Sequence, residues 1–317
     1  MRQKWVLLLI FLLMSVISVT AQQEAEYTLR YDQRPRTYIL HLPPQYDGET
    51  PLPVVFVLHG GGGNPEHTDL VTGFATKGDE EGFITVYPSG TGRLSRQDKL
   101  LSWNAGFCCA QALENNVDDI GFLAALIDNL LANYAIDPNR VYMTGLSNGG
   151  IMSHFLAGAL SDRIAGIAPV EAAAGGQASP NSDLVMATTP DHPVNVLMIH
   201  ALDDQAVPYY GGQTALDVAG SDFVVISVQQ SLDFWLAADD CSPDEAVTTE
   251  LAPGIATEES YVCQSGAEVA LITLTEGGHS WPGSDSQHRI GDTPTQAIDA
   301  TDVIWAFFAS HPKVNEE

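Results

Sequence analysis

Arg140-Val-Tyr-Met-Thr-Gly-Leu-Ser-Asn-Gly-Gly-Ile-Met-Ser-His154 decides how the rest of the chain is read. A β-branched and aromatic run enters a sharp turn, and helical spacing follows it. The turn, Gly145-Leu146-Ser147-Asn148-Gly149, matches G-x-S-x-G. Glycines flank the serine because the backbone turns too tightly there for a Cβ on either side. Such a turn sets the Ser147 hydroxyl out at the end of a strand and aims the following N–H groups at whatever the serine attacks. Glycine and serine are common, so the pattern alone is weak. The legible strand before it and helix after it supply the context that makes Ser147 a candidate nucleophile.

Strands and helices alternate on both sides of this stretch. Strands are expected at 36–42, 53–59, 83–87, 140–145, 164–170, 194–200 and 269–275, and helices at 117–134, 149–160, 224–238 and 301–309. Pro53-Val-Val-Phe-Val-Leu-His59 is apolar on both faces, as a central parallel strand should be. Residues 22–30 read as a polar lead-in, and 91–117, 172–193 and 239–267 as loops. Asp118 and Asp119 fall in the first turn of their helix, where acidic groups suit the dipole. The alternation implies an α/β class: a mostly parallel central sheet with helices on both faces. Active residues then lie at the carboxyl ends of strands. No internal repeat or low-complexity linker interrupts 22–317, which is read as one catalytic domain.

Candidate groups fall at three such ends. Ser147 follows one strand, the pair Asp203-Asp204 a second, and His279 a third, in the glycine-rich run Glu276-Gly277-Gly278-His279. Serine is a poor nucleophile until a base takes its proton; histidine does this near neutral pH, and a buried carboxylate fixes its tautomer. Of nine histidines, His279 has the best placement for a base. His200 reads as structural and His59 as orienting the glycine run; His41, His67, His154, His192, His288 and His311 read as surface or core residues. Spacing does not choose between Asp203 and Asp204, and one of them is expected to be a solvated neighbour. Gly60 and Gly61, with Asn148, offer backbone N–H groups for an oxyanion. A phosphate loop would need a following Gly-Lys-Ser/Thr, which Gly60–Gly63 does not have. No metal-ligand spacing is evident, and no cofactor or metal is expected.

The chain carries 13 basic and 40 acidic residues, a net charge of −27. That charge repels nucleic acid and anionic membranes and excludes both as partners. Residues 1–21 have the pattern of a signal peptide: Arg2 and Lys4, an apolar run over 5–19, and small residues before Gln22. The expectation is an extracellular or periplasmic protein with no stable membrane association after cleavage. Export makes disulfides possible. Cys241 and Cys263 bracket an irregular loop and are expected to pair; the adjacent Cys108 and Cys109 form either a vicinal disulfide or two thiols.

With these pieces placed, the sequence resembles secreted esterases of the feruloyl esterase and polyhydroxybutyrate depolymerase family, within the α/β-hydrolases. The matching stretches are Leu58-His-Gly-Gly-Gly-Gly63, Trp103-Asn-Ala-Gly-Phe-Cys-Cys109, Val117-Asp-Asp-Ile-Gly-Phe122, Gly145-Leu-Ser-Asn-Gly-Gly150 and Gly277-Gly-His-Ser-Trp-Pro-Gly283. The family's H-G-x-x-D…V-P-Y pattern places the acid four residues before the proline. With Val207-Pro208-Tyr209 in this chain, the resemblance assigns the role to Asp204, although Ala201 replaces the family's glycine. It implies ester hydrolysis by Ser147, His279 and Asp204 without cofactor or metal. Trp281, and with it Trp103, is a candidate substrate wall, with packing as the alternative for Trp281. The substrate implied is a feruloyl or acetyl ester of plant polysaccharide, with polyester as the alternative. The chain ending just past its closing helix tips that choice toward the carbohydrate-linked ester. A serine peptidase would use the same triad, whereas a binding module would need it broken.

Overall fold

The computed structural model describes residues 24–92, 99–215, 223–285 and 292–314. The expected signal peptide at 1–21 and His288 lie outside the described residues. The chain opens with an antiparallel hairpin, β1 (Glu24–Tyr31) and β2 (Arg34–His41). Next come β3 (Leu52–Leu58), the short helices α1 (Pro65–Thr72) and α2 (Phe74–Glu81), and β4 (Ile84–Pro88). The one-turn α3 (Ala110–Glu114), α4 (Asp119–Asn133), β5 (Ile136–Leu146) and α5 (Asn148–Ala159) carry the chain through the Ser147 turn. Then come β6 (Gly166–Val170), the short β7 (Gly175–Gln177) and β8 (Val185–Met186), and β9 (Asn195–Ala201). The last part holds the short β10 (Gly212–Gln213) and β11 (Val224–Val225), α6 (Val228–Ala238), β12 (Val247–Ala252), β13 (Ala256–Val262), β14 (Glu268–Leu274) and α7 (Ala300–Ser310).

Ten strands form one sheet in the order β1-β2-β4-β3-β5-β6-β9-β14-β13-β12. The run from β4 through β14 is parallel, and an antiparallel pair of strands extends it at each end. β3 explains the layering. Val54, Phe56 and Leu58 join one buried cluster with Phe122 of α4, Ile151 of α5 and Trp235 of α6, while Val55 and Val57 join a second with Phe74 of α2 and Trp305 of α7. A strand apolar on both faces needs helices on both, and this chain supplies them. α5 is buried on every side from Asn148 to Gly158, which makes the helix that follows Ser147 the central one.

Several expectations change. The polar lead-in is the edge strand β1, whose residues are mostly exposed. Residues 239–267 contain the hairpin β12–β13, whose polar side chains hide a strand that no helix covers. The helix expected from Val224 begins at Val228, because Ser227 forms a capping box with Gln230 and Val224–Val225 pairs instead with β7 and β10. Asp118 caps α4 by accepting from the Gly121 N–H, and Asp119 turns inward to Arg36 at 2.7 Å. Cys241 and Cys263 are bonded, and Cys108 and Cys109 form a vicinal pair across a cis peptide bond.

Candidate active site

Ser147 stands between β5 and α5 with φ 58° and ψ −123°. A side chain is strained there, and the surroundings hold it: Ser147 N–H donates to the Val170 carbonyl at 2.9 Å, and its own carbonyl accepts from Ile151 at 2.8 Å. The flanking glycines are required by close approach. A Cβ at Gly145 would lie 2.6 Å from the Leu58 oxygen, and one at Gly149 would lie 2.7 Å from the His59 oxygen. The end of β3 is thus pressed against the Ser147 turn, bringing the glycine run beside it.

His59 sets the geometry of that run. Its Nε2 accepts the Gly90 N–H at 2.9 Å, so Nδ1 carries the proton and donates to the Gly60 carbonyl, also at 2.9 Å. Burial pushes its pKa down to about 4, keeping the ring neutral. A planar trans peptide points its N–H opposite to its C=O, so the Gly61 N–H faces away from the ring that grips Gly60. Gly63 donates to the Gly60 carbonyl within the loop, and Gly62 donates to the Leu101 carbonyl of the neighbouring segment. The other side is the first turn of α5, whose N–H groups have no partner inside the helix. The Asn148 side chain is engaged elsewhere, with Oδ1 accepting from Trp103 N–H at 2.7 Å and Nδ2 donating to the Trp103 carbonyl at 3.1 Å.

Trp103 and Trp281 are both fully enclosed, at 0% and 1% exposure. The Trp103 indole donates to the His59 carbonyl at 3.0 Å and stacks on the His59 ring, so it braces the glycine loop. Trp281 donates to Thr301 at 3.0 Å and meets Phe74 edge-on. These contacts are those of packing residues, the alternative held for Trp281, and they give Trp103 a bracing role beside the glycine loop. The Trp103 loop is fixed from behind by Asp119, which accepts from Asn104 N–H at 2.8 Å and pairs with Arg36.

Asp204, after β9, and His279, after β14, meet at 2.8 Å between Oδ2 and Nδ1. The Asp204 Oδ1 accepts from Ala206 and Val207 N–H groups at 2.7 and 2.9 Å. Burial alone would raise the Asp204 pKa, but the neighbouring imidazoles, His279 first and His200 after it, hold it well below the usual carboxylate range. With Nδ1 committed, Nε2 of His279 is the nitrogen left for another group. The histidine loop is clamped twice: Gly278 N–H donates to Asp203 and His279 N–H to Asp292, each at 2.8 Å. Asp203 is therefore an anchor and not merely a solvated neighbour. His200 is structural, its Nε2 donating to the Val207 carbonyl at 2.8 Å.

The sequence reading missed Asp292 and Glu171. Glu171, Asp204 and His200 bring their polar atoms within 4.8 Å of one another, a spacing a metal could use. The His200 nitrogen that faces them holds its proton toward a carbonyl, so it has no lone pair to offer an ion.

A ten-stranded, mostly parallel sheet, a strained serine at a strand–helix turn and a histidine–aspartate pair two and three strands away define an α/β-hydrolase. The Phospholipase/Carboxylesterase family profile matches residues 47–221, and the chain belongs to that family. "Putative esterase NocK" of Nocardia uniformis subsp. tsuyamanensis is 29% identical over 86% of this chain and 78% of its own length. Feruloyl esterase B of Piromyces equi is 26% identical over 77% of this chain; the match spans 42% of that protein. Among solved structures, an acetyl xylan esterase from Aspergillus awamori superposes with a TM-score of 0.59 at 14% identity, covering 90% of this chain and 99% of that one, a likeness of fold.

Proposed function

We propose that the protein is a secreted serine esterase that cleaves carboxylic esters through an acyl-enzyme. The observation that carries this reading is the buried Asp204–His279 hydrogen bond at the carboxyl end of the sheet that also holds Ser147. In the proposed reaction, His279 Nε2 takes the Ser147 hydroxyl proton as Oγ bonds to the ester carbonyl carbon. The oxyanion is held by N–H groups of Gly61 and Asn148, with Gly60 fixing the loop. The carbon–oxygen bond to the alcohol then breaks, and that alcohol leaves with the proton held by His279. Water, deprotonated by the same histidine, attacks the acyl-serine; the acyl–Oγ bond breaks as His279 returns the proton to Ser147, and the acid is released. Asp204 holds the histidine tautomer and stabilises the imidazolium formed in each step.

The relatives' names support feruloyl or acetyl esters of plant polysaccharide as the substrate class. The charged and apolar start of the sequence and the paired cysteines support export. The test is turnover of methyl ferulate, acetylated xylan and hydroxybutyrate oligomers by wild type and Ser147→Ala. Hydrolysis of the first or second, lost by on the order of 10⁴-fold in a folded Ser147→Ala, is expected. Preference for the oligomers would move the substrate to polyester, and an active Ser147→Ala would reject the nucleophile.

A further inference from the structure

A third acidic side chain touches the proposed triad. Glu171 follows β6 directly, is fully buried, and has φ 47°. Its N–H donates to the Ile199 carbonyl at 2.9 Å, and both carboxyl oxygens lie 3.1 Å from the Ala201 N–H. One oxygen is 3.3 Å from His200 Nε2, an atom that also lies 3.4 Å from Asp204 Oδ2, and the two carboxyl groups approach within 4.8 Å of each other. A left-handed backbone disfavours any side chain, and a sealed site disfavours a carboxyl group. Two buried carboxylates this close cannot both hold their charge cheaply, so one keeps a proton. Asp204 receives two backbone N–H groups as well as His279, whereas Glu171 receives one backbone N–H. The proton therefore resides on Glu171. Burial and the neighbouring Asp204 charge both raise its pKa well above the usual range, in agreement.

We propose that Glu171 is a positioning residue that acts as a neutral acid, donating its hydroxyl proton to the Asp204 carboxylate while its carbonyl oxygen accepts from Ala201. This rests on the triad reading given above. The donated hydrogen bond adds to the two backbone donors that hold the carboxylate and draws negative charge away from His279. The groups around Asp204 are Glu171 beyond β6, His200 on β9 and His279 beyond β14; Asp203 and Asp292 hold the backbone of the histidine loop, and buried His154 of α5 accepts from the Trp235 indole at 2.9 Å. Among these, Glu171 alone presents a carboxyl proton to Asp204.

Without the donor, Asp204 presents its full charge to His279, the imidazolium is favoured, and the histidine becomes neutral only at higher pH. Glutamine reproduces the neutral acid, with an N–H to donate and an oxygen to accept; leucine fills the space and does neither. The experiment measures kcat/KM against pH on a small soluble ester for wild type, Glu171→Gln, Glu171→Leu and Ser147→Ala, with folding checked by near-UV circular dichroism. Glu171→Gln is expected to stay within about threefold of wild type with its acid limb unmoved. Glu171→Leu is expected to lose about tenfold or more, mainly in kcat, with the acid limb displaced to higher pH. Equal losses in both variants, or an undisturbed Glu171→Leu, would overturn the proposal. An active Ser147→Ala would instead reject the triad itself. An infrared difference spectrum, wild type minus Glu171→Gln, needs no leucine variant: a protonated-acid carbonyl band at neutral pH is expected, and a carboxylate signature in its place overturns the proposal.

Discussion

Replacing Asp204 by asparagine changes one group and leaves the shape intact. The amide oxygen, turned toward Ala206 and Val207, keeps both backbone hydrogen bonds at 2.7 and 2.9 Å. Its NH₂ then occupies the position that accepts from His279 Nδ1 at 2.8 Å. Two donors cannot face each other at that distance, so the histidine moves its proton to Nε2, the atom that has to accept from Ser147. The enzyme keeps its fold and loses its base. The expected cost is about 10⁴-fold in kcat, or about 5.5 kcal/mol at 1.36 kcal/mol per factor of ten. Asp203→Asn is the control, because an amide oxygen still accepts the Gly278 N–H; a loss of less than about tenfold is expected. The assay is steady-state kinetics on a soluble aryl ester, with thermal melts of both variants. Similar losses in the two, or an Asp204→Asn enzyme within tenfold of wild type, would refute the reasoning.

Gly149→Ala forces a Cβ against the carbonyls of Leu58 and His59; a lower Tm and at least a 10²-fold fall in kcat/KM are expected as the glycine loop shifts, and wild-type kinetics would show that the contact relaxes freely. Asp239 is buried, its Oδ1 accepts from Val194 N–H at 3.1 Å, and burial raises its pKa to about 7. The folded state therefore holds a proton that the unfolded state releases at a lower pH, so this group's contribution is present below about pH 4 and is lost as pH rises toward 7. The loss is about 4 kcal/mol. Asp239→Asn should flatten that part of the stability curve in denaturant titrations, and an unchanged slope would count against it. Opening the Cys241–Cys263 bond, 22 residues apart, by a double serine variant should cost about 3 kcal/mol of stability with little change in kcat.

The centre of the fold was legible because parallel strands covered on both faces are written as unbroken apolar runs, as at 53–59. The ends were not. β1 and β12 are exposed and polar, and their strand character comes from pairing with β2 and β13 rather than from an apolar pattern. The chemistry followed the same division. Ser147, His279 and the pair Asp203-Asp204 announce themselves through glycine turns and strand ends, the family resemblance picks Asp204 from the pair, and the structure brings Asp204 and His279 together. Asp292 lies on a loop with no spacing to tie it to His279. Glu171 did carry a signal, a charged residue closing the apolar run Gly166-Ile-Ala-Pro-Val170, the same cue that marked Asp203 and Asp204. Trp281 went the other way: its motif drew attention to a residue whose indole is committed to Thr301.

The two outermost strands have a colloidal consequence. Each leaves one row of backbone N–H and C=O groups facing water among the described residues, a template on which a second copy could lay its own edge. Glu24 and Glu26 sit on one rim, Glu250 on the other, and the whole chain is strongly anionic, so approaching copies repel one another before any ladder forms. The safeguard is charge rather than shape and fails when charge does. Near the sequence pI of about 4.3, or in concentrated salt, molecules with an intact core should begin to associate rim to rim, and precipitation would then follow titration of the surface and not loss of the fold.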